Sequence, residues 1–270
     1  MNKYCAGKTP TNIQKARTDL FAKLEQLNLF PTQSVCNPTI KNLDNVPITK
    51  GHHSIRIIPT DTISAAIEYH QTAPQHKICL LNFASYKTPG GIFIHCTKPP
   101  AQEEALCFCS NLYQELVKQE NIWYKKHLAL NRGLYANESI LSKDISIVAA
   151  APGDFLSQDE IFMVDVLSCA APNLSYLTRL GQKNSDEAIA AQKDRVNYVM
   201  NILCSEQYDA IILGAFGCGV FHCNPDIIST AFAEFLKQHR HQMGEVIFAI
   251  PDEKSANFIS FVKNFKQILL

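Results

Sequence analysis

No Cys-x-x-Cys pair occurs anywhere in the 270 residues, although ten cysteines are present. Cys107 and Cys109 stand two apart and Cys218 and Cys223 five apart, spacings that suit neither a zinc ribbon nor a zinc finger. Ten cysteines in a chain of this length are also too sparse for a disulfide scaffold. They read as small hydrophobes of a reduced compartment. An excess of either charge is missing: 25 Lys and Arg balance 25 Asp and Glu. That argues against a general nucleic-acid binder, which is normally basic. Glycine and proline are scarce, with 11 and 13 residues, which excludes collagen-like and linker chains. No apolar run reaches the roughly 18 residues of a membrane span. The longest candidate, Ala210 to Pro225, is interrupted by Gly217, Gly219, His222 and Asn224. The opening MNKYCAGKTP lacks the apolar stretch of a signal peptide. A cytoplasmic protein with no membrane and no free nucleic acid as partner is expected.

What is present is a globular composition, 46% apolar and 19% charged, enough for a full core. Helical spacing of Ile13, Ala16, Leu20, Leu24 and Leu27 predicts a helix over residues 12–29, capped by Thr11. Residues 31–52, rich in Pro, Asn and Thr, read as a loop. Strand and helix signals then alternate. Strands are predicted over Ser54–Ile58, Lys77–Ala84, Ile145–Ala151, Ile161–Ser168, Asp209–Gly214 and Glu245–Ile250. Helices are predicted over Asp61–His70 with Asp61 as cap, Ala101–Glu120, Asp186–Cys204, Pro225–His239 with Asn224 as cap, and Ser255–Ile268. Apolar strands alternating with helices imply an α/β fold with a mostly parallel sheet covered on both faces. No repeat, charge block or linker divides it. Residues 1–52 are expected to form a helical extension packed on a single compact unit, 53–270.

In such sheets ligands bind beyond the carboxyl ends of strands, and two strand ends carry unusual loops. One runs from Asn82 through Ser85, Pro89, Gly90, Gly91 and Ile92 to Gln102-Glu103-Glu104. The other is Gly214-Ala-Phe-Gly217-Cys-Gly219-Val220-Phe221, leading into the helix capped by Asn224. Glycines beside a helix N-terminus favour a phosphate, because backbone N–H groups can approach it closely. A turn that merely needs glycine fits the same spacing. Adjacent glutamates in a first helical turn often only complement the helix dipole. Here they follow directly on a Gly/Pro loop and point about 100° apart, so one can enter a site while the other holds its edge. Such neighbours cannot flank a bond from opposite sides; one carboxyl would act as both acid and base.

NFASYKTPGG with AQEEALCFCSNLY, then DVLSCAAPNL, then ILGAFGCGVFHCNP, together resemble the bacterial-type poly(ADP-ribose) glycohydrolase group of macrodomain proteins. The likeness runs from Asn82 to the last strand, with three separate motifs in the family's order. It implies a macrodomain-like three-layer α/β/α sandwich with a mixed, mostly parallel sheet. It implies a hydrolase that binds ADP-ribose and cleaves the O-glycosidic bond at ribose C1″, with no cofactor and no metal. Glu104 would be the catalytic acid and base, kept protonated by partial burial, and Glu103 would hold the adjoining ribose. Asn82, Gly90, Gly91 and Gln102 would shape the ribose pocket. Gly217, Cys218, Gly219 and Val220 would hold the diphosphate, with Phe221 near the adenosine or ribose. The partner would be ADP-ribose or an ADP-ribosylated protein, met by a monomer.

Where the family has a third glycine this chain has Ile92, and the spacer to Gln102 is slightly long. A β-branched residue cannot easily take glycine-only backbone geometries. Ile92 is therefore expected to reshape the pocket for a next ADP-ribose unit, and His95, Cys96 and Lys98 to cover the site or contact an attached protein. Two other activities stay open: removal of single ADP-ribose units from protein, and binding without cleavage. A Cys218–His222 hydrolase is a further alternative, although no third group orients it. A zinc deaminase is disfavoured because no His-x-Glu accompanies a cysteine pair. Asp165, inside an apolar strand, is a candidate acceptor for the adenine amino group. Trp123 and Tyr124 read as core or lid packing.

Overall fold

The computed structural model of the chain describes residues 10–29, 33–47, 53–129 and 133–269. In chain order the elements are α1 (Pro10–Gln26), β1 (Gln33–Cys36), β2 (Ile55–Ile58), α2 (Thr62–Thr72) and β3 (Ile78–Phe83). Next come α3 (Gln102–Cys109), α4 (Leu112–Lys118), a π turn (Glu120–Tyr124), α5 (Lys125–Ala129) and β4 (Ser139–Ile147). The short strands β5 (Ala149–Ala151) and β6 (Asp154–Phe155) precede β7 (Phe162–Cys169) and α6 (Leu174–Arg179). The chain closes with α7 (Asp186–Glu206), β8 (Ala210–Leu213), α8 (Pro225–His239), β9 (Glu245–Ala249) and α9 (Ala256–Leu269).

Seven strands form one sheet in the order β1-β4-β7-β3-β8-β9-β2. The five from β7 to β2 are parallel, and β4 runs antiparallel to both β7 and β1. Alternate strand residues feed two separate cores, as the pleat requires. Ile78, Leu80, Ile212, Ile247 and Ala249 face α1 to α4. Cys79, Leu81, Ile211, Val246 and Phe248 face α6 to α9. This is the three-layer α/β/α architecture implied by the near-continuous apolar strands.

The caps expected at Asp61 and Asn224 are present. Asp61 accepts from the Ser64 amide at 2.9 Å and Asn224 from the Asp226 amide at 2.9 Å. Both therefore fix helices that start just past the carboxyl ends of β2 and β8. Thr11 instead lies inside α1. Part of the 31–52 stretch is strand rather than loop. β1 is too short to show alternation, and partners elsewhere hold it: Ser34 donates to the buried Glu115 carboxylate and Cys36 Sγ contacts Gln119 Oε1 at 3.1 Å. His52 lies outside the described residues, and His53 Nδ1 bonds the Met243 carbonyl at 2.8 Å.

The predicted helix 101–120 is divided at Ser110 and Asn111. Ser110 pairs with Ile147 in an isolated bridge, and Asn111 Oδ1 accepts from the Ser146 amide at 2.9 Å. These side chains offer the backbone an alternative to helical bonds. β4 begins at Ser139, earlier than the predicted 145, because Ser139, Ser142 and Ser146 interrupt its apolar signal while lying buried.

Arg195 of α7 is 2% exposed. Its guanidinium donates to Asn137 Oδ1 at 2.7 Å, to the Leu134 carbonyl at 3.0 Å and to the Ala170 carbonyl. It thereby ties the segment before β4 to the end of β7. Arg195→Leu strands the buried Ala170 carbonyl and removes two part-buried bonds, and urea unfolding should show a loss of about 2 kcal/mol.

Candidate active site

A cavity of about 560 Å³ lies over the carboxyl ends of β3, β8, β9 and β2. Each strand end contributes a wall. Phe83, Ser85, Lys87, Thr88, Gly91 and Ile92 follow β3. Ala215, Gly217, Gly219, Val220 and Phe221 follow β8, Ile250 and Pro251 follow β9, and Asp61 follows β2. The first turn of α3 brings Gln102, Glu103 and Glu104 into the same space.

The two glutamates are 4% and 7% exposed. Glu103 Oε2 accepts from the Ser85 amide at 2.7 Å, and its Oε1 meets Asn82 Nδ2 at 3.4 Å. Glu104 Oε1 accepts from the Ile92 amide at 2.9 Å. Gly91, at φ +61°, lies against both: a Cβ there would overlap Glu104 Oε1 and come within 3.1 Å of Glu103 Oε2. Only glycine permits that backbone and that approach. Burial pushes the Glu103 carboxyl up to about 8, and the charge of Glu104 pushes the same way, against the Ser85 and Asn82 hydrogen bonds.

Gln102 uses its whole amide on the protein. Its Oε1 accepts from the Phe83 amide at 2.9 Å, and its Nε2 donates to the Leu81 carbonyl at 2.8 Å and to Thr62 Oγ1 at 3.3 Å. It positions the wall from which it also faces the cavity. Asn82 is fully buried behind Glu103, with Nδ2 on Ser168 Oγ at 3.0 Å and Oδ1 unpaired among the described residues. Gly90 is also behind the wall, and its φ of +66° and the contact with Tyr113 and Cys107 explain the glycine. Asn82 and Gly90 therefore support the pocket from behind rather than line it.

The glycines after β8 divide by role. Gly217, at φ +74°, has no room for a Cβ, which would come 2.6 Å from Ala171 Cβ and 2.7 Å from Cys223 Sγ. Gly219 has neither positive φ nor any neighbour within 4 Å of such a Cβ. Its own fold does not demand glycine there, so open space over the backbone is what the residue provides. The amides of Cys218, His222 and Cys223 close turns onto Ala215, Gly219 and Gly217. Those of Gly219, Val220 and Phe221 have no acceptor among the described residues. Ser175 pins the loop by donating its amide to the Phe221 carbonyl at 3.1 Å and its Oγ to the Val220 carbonyl at 2.7 Å.

The chain matches the family model described as the catalytic domain of microbial-type PARG, over residues 5–149. The chain belongs to that family, the poly(ADP-ribose) glycohydrolases of microbial type. The PARG fold extends through the remainder. Poly(ADP-ribose) glycohydrolase from Thermomonospora curvata, bound to the inhibitor ADP-HPD, matches at 21% identity and TM-score 0.76, covering 94% of this chain and 100% of that one. The Deinococcus radiodurans enzyme in complex with ADP-ribose matches at 25% identity and TM-score 0.69, covering 80% of this chain and 85% of that one. No curated protein matches the chain.

Several expectations are corrected by the geometry. Ile92 takes φ −98° and ψ 15°, which any residue can adopt, so no glycine-only backbone is needed there. His95, Cys96 and Lys98 do not line the cavity; Cys96 is buried with its Sγ 3.2 Å from the Lys98 carbonyl. Cys218 is half-buried, its thiol turned to the Phe216 carbonyl at 3.6 Å and pushed up by burial, which removes the thiolate a Cys–His hydrolase needs. His222 is exposed, at φ 56°, and outside the cavity wall. Asp165 lies well before the carboxyl end of β7 and is 4% exposed. It accepts from the Asp144 amide at 3.1 Å and Tyr208 OH at 2.9 Å and pairs with Lys77 at 3.5 Å. It caps the β4 bulge rather than reaching a ligand. Trp123 and Tyr124 are core residues. Asp61, expected only as a cap, also lines the cavity, as do Ser85, Lys87 and Pro251; an acid at a strand end is the signal for Asp61.

Gly217→Ala should lower stability by about 1 kcal/mol or more, whereas Gly219→Ala should stay within about 0.5 kcal/mol of the parent. Thermal melts of the two variants side by side check the contrast.

Proposed function

We propose that the chain binds ADP-ribose across the four strand ends and hydrolyses the bond at ribose C1″ with Glu104 as acid and base. The observation that carries this reading is the pair of buried carboxyls pressed on Gly91, one of them bonded by the Ile92 amide. Strands lie about 4.8 Å apart, so β3 to β2 spans roughly 14 Å, the reach of an extended nucleoside diphosphate sugar. The ribose at the reacting bond sits over β3, the diphosphate on the spare amides at Gly219 to Phe221 and the N-terminus of α8, and the adenosine over β9 and β2. The partner in this reading is ADP-ribose or an ADP-ribosylated protein.

The proton balance closes on one carboxyl. Protonated Glu104 gives its proton to the leaving oxygen as the C1″–O bond breaks, and positive charge develops on the ribose beside the diphosphate. The resulting carboxylate takes a proton from water as that water attacks C1″, which restores the acid. Glu103, which burial keeps largely protonated at pH 7, bonds the ribose hydroxyls.

Glu104→Gln should cut ADP-ribose release about a thousandfold or more, while calorimetry shows ADP-ribose still bound. Unchanged release would remove the assignment. The pH profile provides a separate check. A group needed in its protonated form loses activity as pH rises through its pKa, so kcat/KM should fall above about 8. Glu103→Gln removes that titration, and the alkaline limb should move. A limb left in place belongs to another group.

A further inference from the structure

The Glu104 carboxyl has one hydrogen-bond donor among the described residues, the Ile92 amide. An acid that must give and take a proton along a fixed line depends on that donor being held still. The segment upstream cannot hold it. Gly90 and Gly91 both sit at positive φ, and glycine is the least stiff backbone available. The fixing comes from the residue after Ile92. The Phe93 ring is fully buried, packed edge-on to Phe108 of α3 at 4.7 Å between centroids and beside Tyr113 of α4 at 4.9 Å. Phe108 lies one helical turn beyond Glu104, so the ring and the Ile92 amide grip the same face of α3 at successive turns.

The N-terminal helix covers another side of Phe93. Phe21 of α1 meets the ring edge-on at 6.0 Å, and Arg17, one turn earlier, donates Nη1 to the Phe93 carbonyl at 2.8 Å. The Phe93 amide is on the Gly90 carbonyl at 3.0 Å. Phe93 is thus held at its amide, its ring and its carbonyl, and only the backbone of Ile92 separates it from Gly91. Arg17 is half-buried and has no carboxylate within ion-pair distance among the described residues. Its charge is directed at one backbone oxygen instead, and a hydrogen bond from a charged donor is roughly twice as strong as a neutral one. α1 does not need this bond to stay docked, because Ile13, Leu20 and Leu24 are buried in the core that it shares with α3.

We propose that Arg17 is a positioning residue for the catalytic acid: it fixes the Phe93 carbonyl, and through Phe93 the Ile92 amide that aims Glu104. This rests on the glycohydrolase reading above. The N-terminal helix then serves the reaction although none of its described residues lines the cavity.

The test measures ADP-ribose release from poly(ADP-ribose) and from protein carrying single ADP-ribose units, with calorimetry of ADP-ribose binding on the same samples. Calorimetric stoichiometry counts folded sites, so kcat is expressed per binding site. A misplacement of about 1 Å can cost about a hundredfold in rate. Arg17→Met keeps the aliphatic stem and removes the donor. It should lower kcat per site about tenfold or more on every substrate that the parent cleaves, while affinity for ADP-ribose stays within about twofold. That split marks an interaction felt in the transition state and not in binding. Arg17→Lys, whose ammonium can reach the same carbonyl, should recover most of the lost rate. An unchanged kcat per site would overturn the proposal. So would a fall in stoichiometry that accounts for the whole loss of rate, which is what a purely structural role gives. Loss of affinity in step with kcat would assign Arg17 to the support of the pocket rather than of the acid and overturn it too, as would failure of Arg17→Lys to rescue. A parent protein that releases ADP-ribose from neither substrate would overturn the glycohydrolase reading, and this proposal with it.

Discussion

Burying two adjacent carboxyls is costly unless backbone donors meet them, and this chain meets them with the amides of Ser85 and Ile92. Those donors come from the two ends of one loop, so the loop is shaped around the acids as much as the acids are placed by it. The closure works only because Gly91 at φ +61° lets the backbone touch both carboxyls. The positive end of α3 favours charge in its first turn, while burial opposes it, and at Glu103 burial prevails.

Most of the fold was legible because it is built from long, periodic segments. The parallel strands announced themselves as apolar runs, and Asp61 and Asn224 as caps. The elements that sequence reading missed are those whose existence depends on distant partners. β1 is a strand because it pairs with β4, with Ser34 and Cys36 anchored on Glu115 and Gln119. The break between α3 and α4 exists because Ser110 and Asn111 find partners on β4. No local period records such bonds.

The site was legible in outline and misassigned in depth. Glu103, Glu104, Gly91, Gly217, Gly219, Val220 and Phe221 all reach the cavity, since motif spacing marks which loops converge. Spacing cannot tell a wall from its support. Asn82 and Gly90 stand one layer back, and Asp165 faces the opposite end of the sheet's polar network. Each is a residue whose type suited a ligand equally well. Exposed backbone φ at Ile92 was likewise invisible until the turn around it was known.

The Gln102 amide has a consequence for how this loop can vary. β8 pairs with β3 only as far as Leu80, after which the Leu81 carbonyl and Phe83 amide would be left bare on that side. Gln102 occupies both, as a neighbouring strand residue would. The helix bearing the acids is thereby registered to the strand directly, not through the residues that connect them. Length changes between Ile92 and Gln102 can be absorbed in the outer turn without displacing either carboxyl, which accounts for a nine-residue connection that leaves the geometry intact. That segment is free to diversify while the chemistry stays where the sheet holds it.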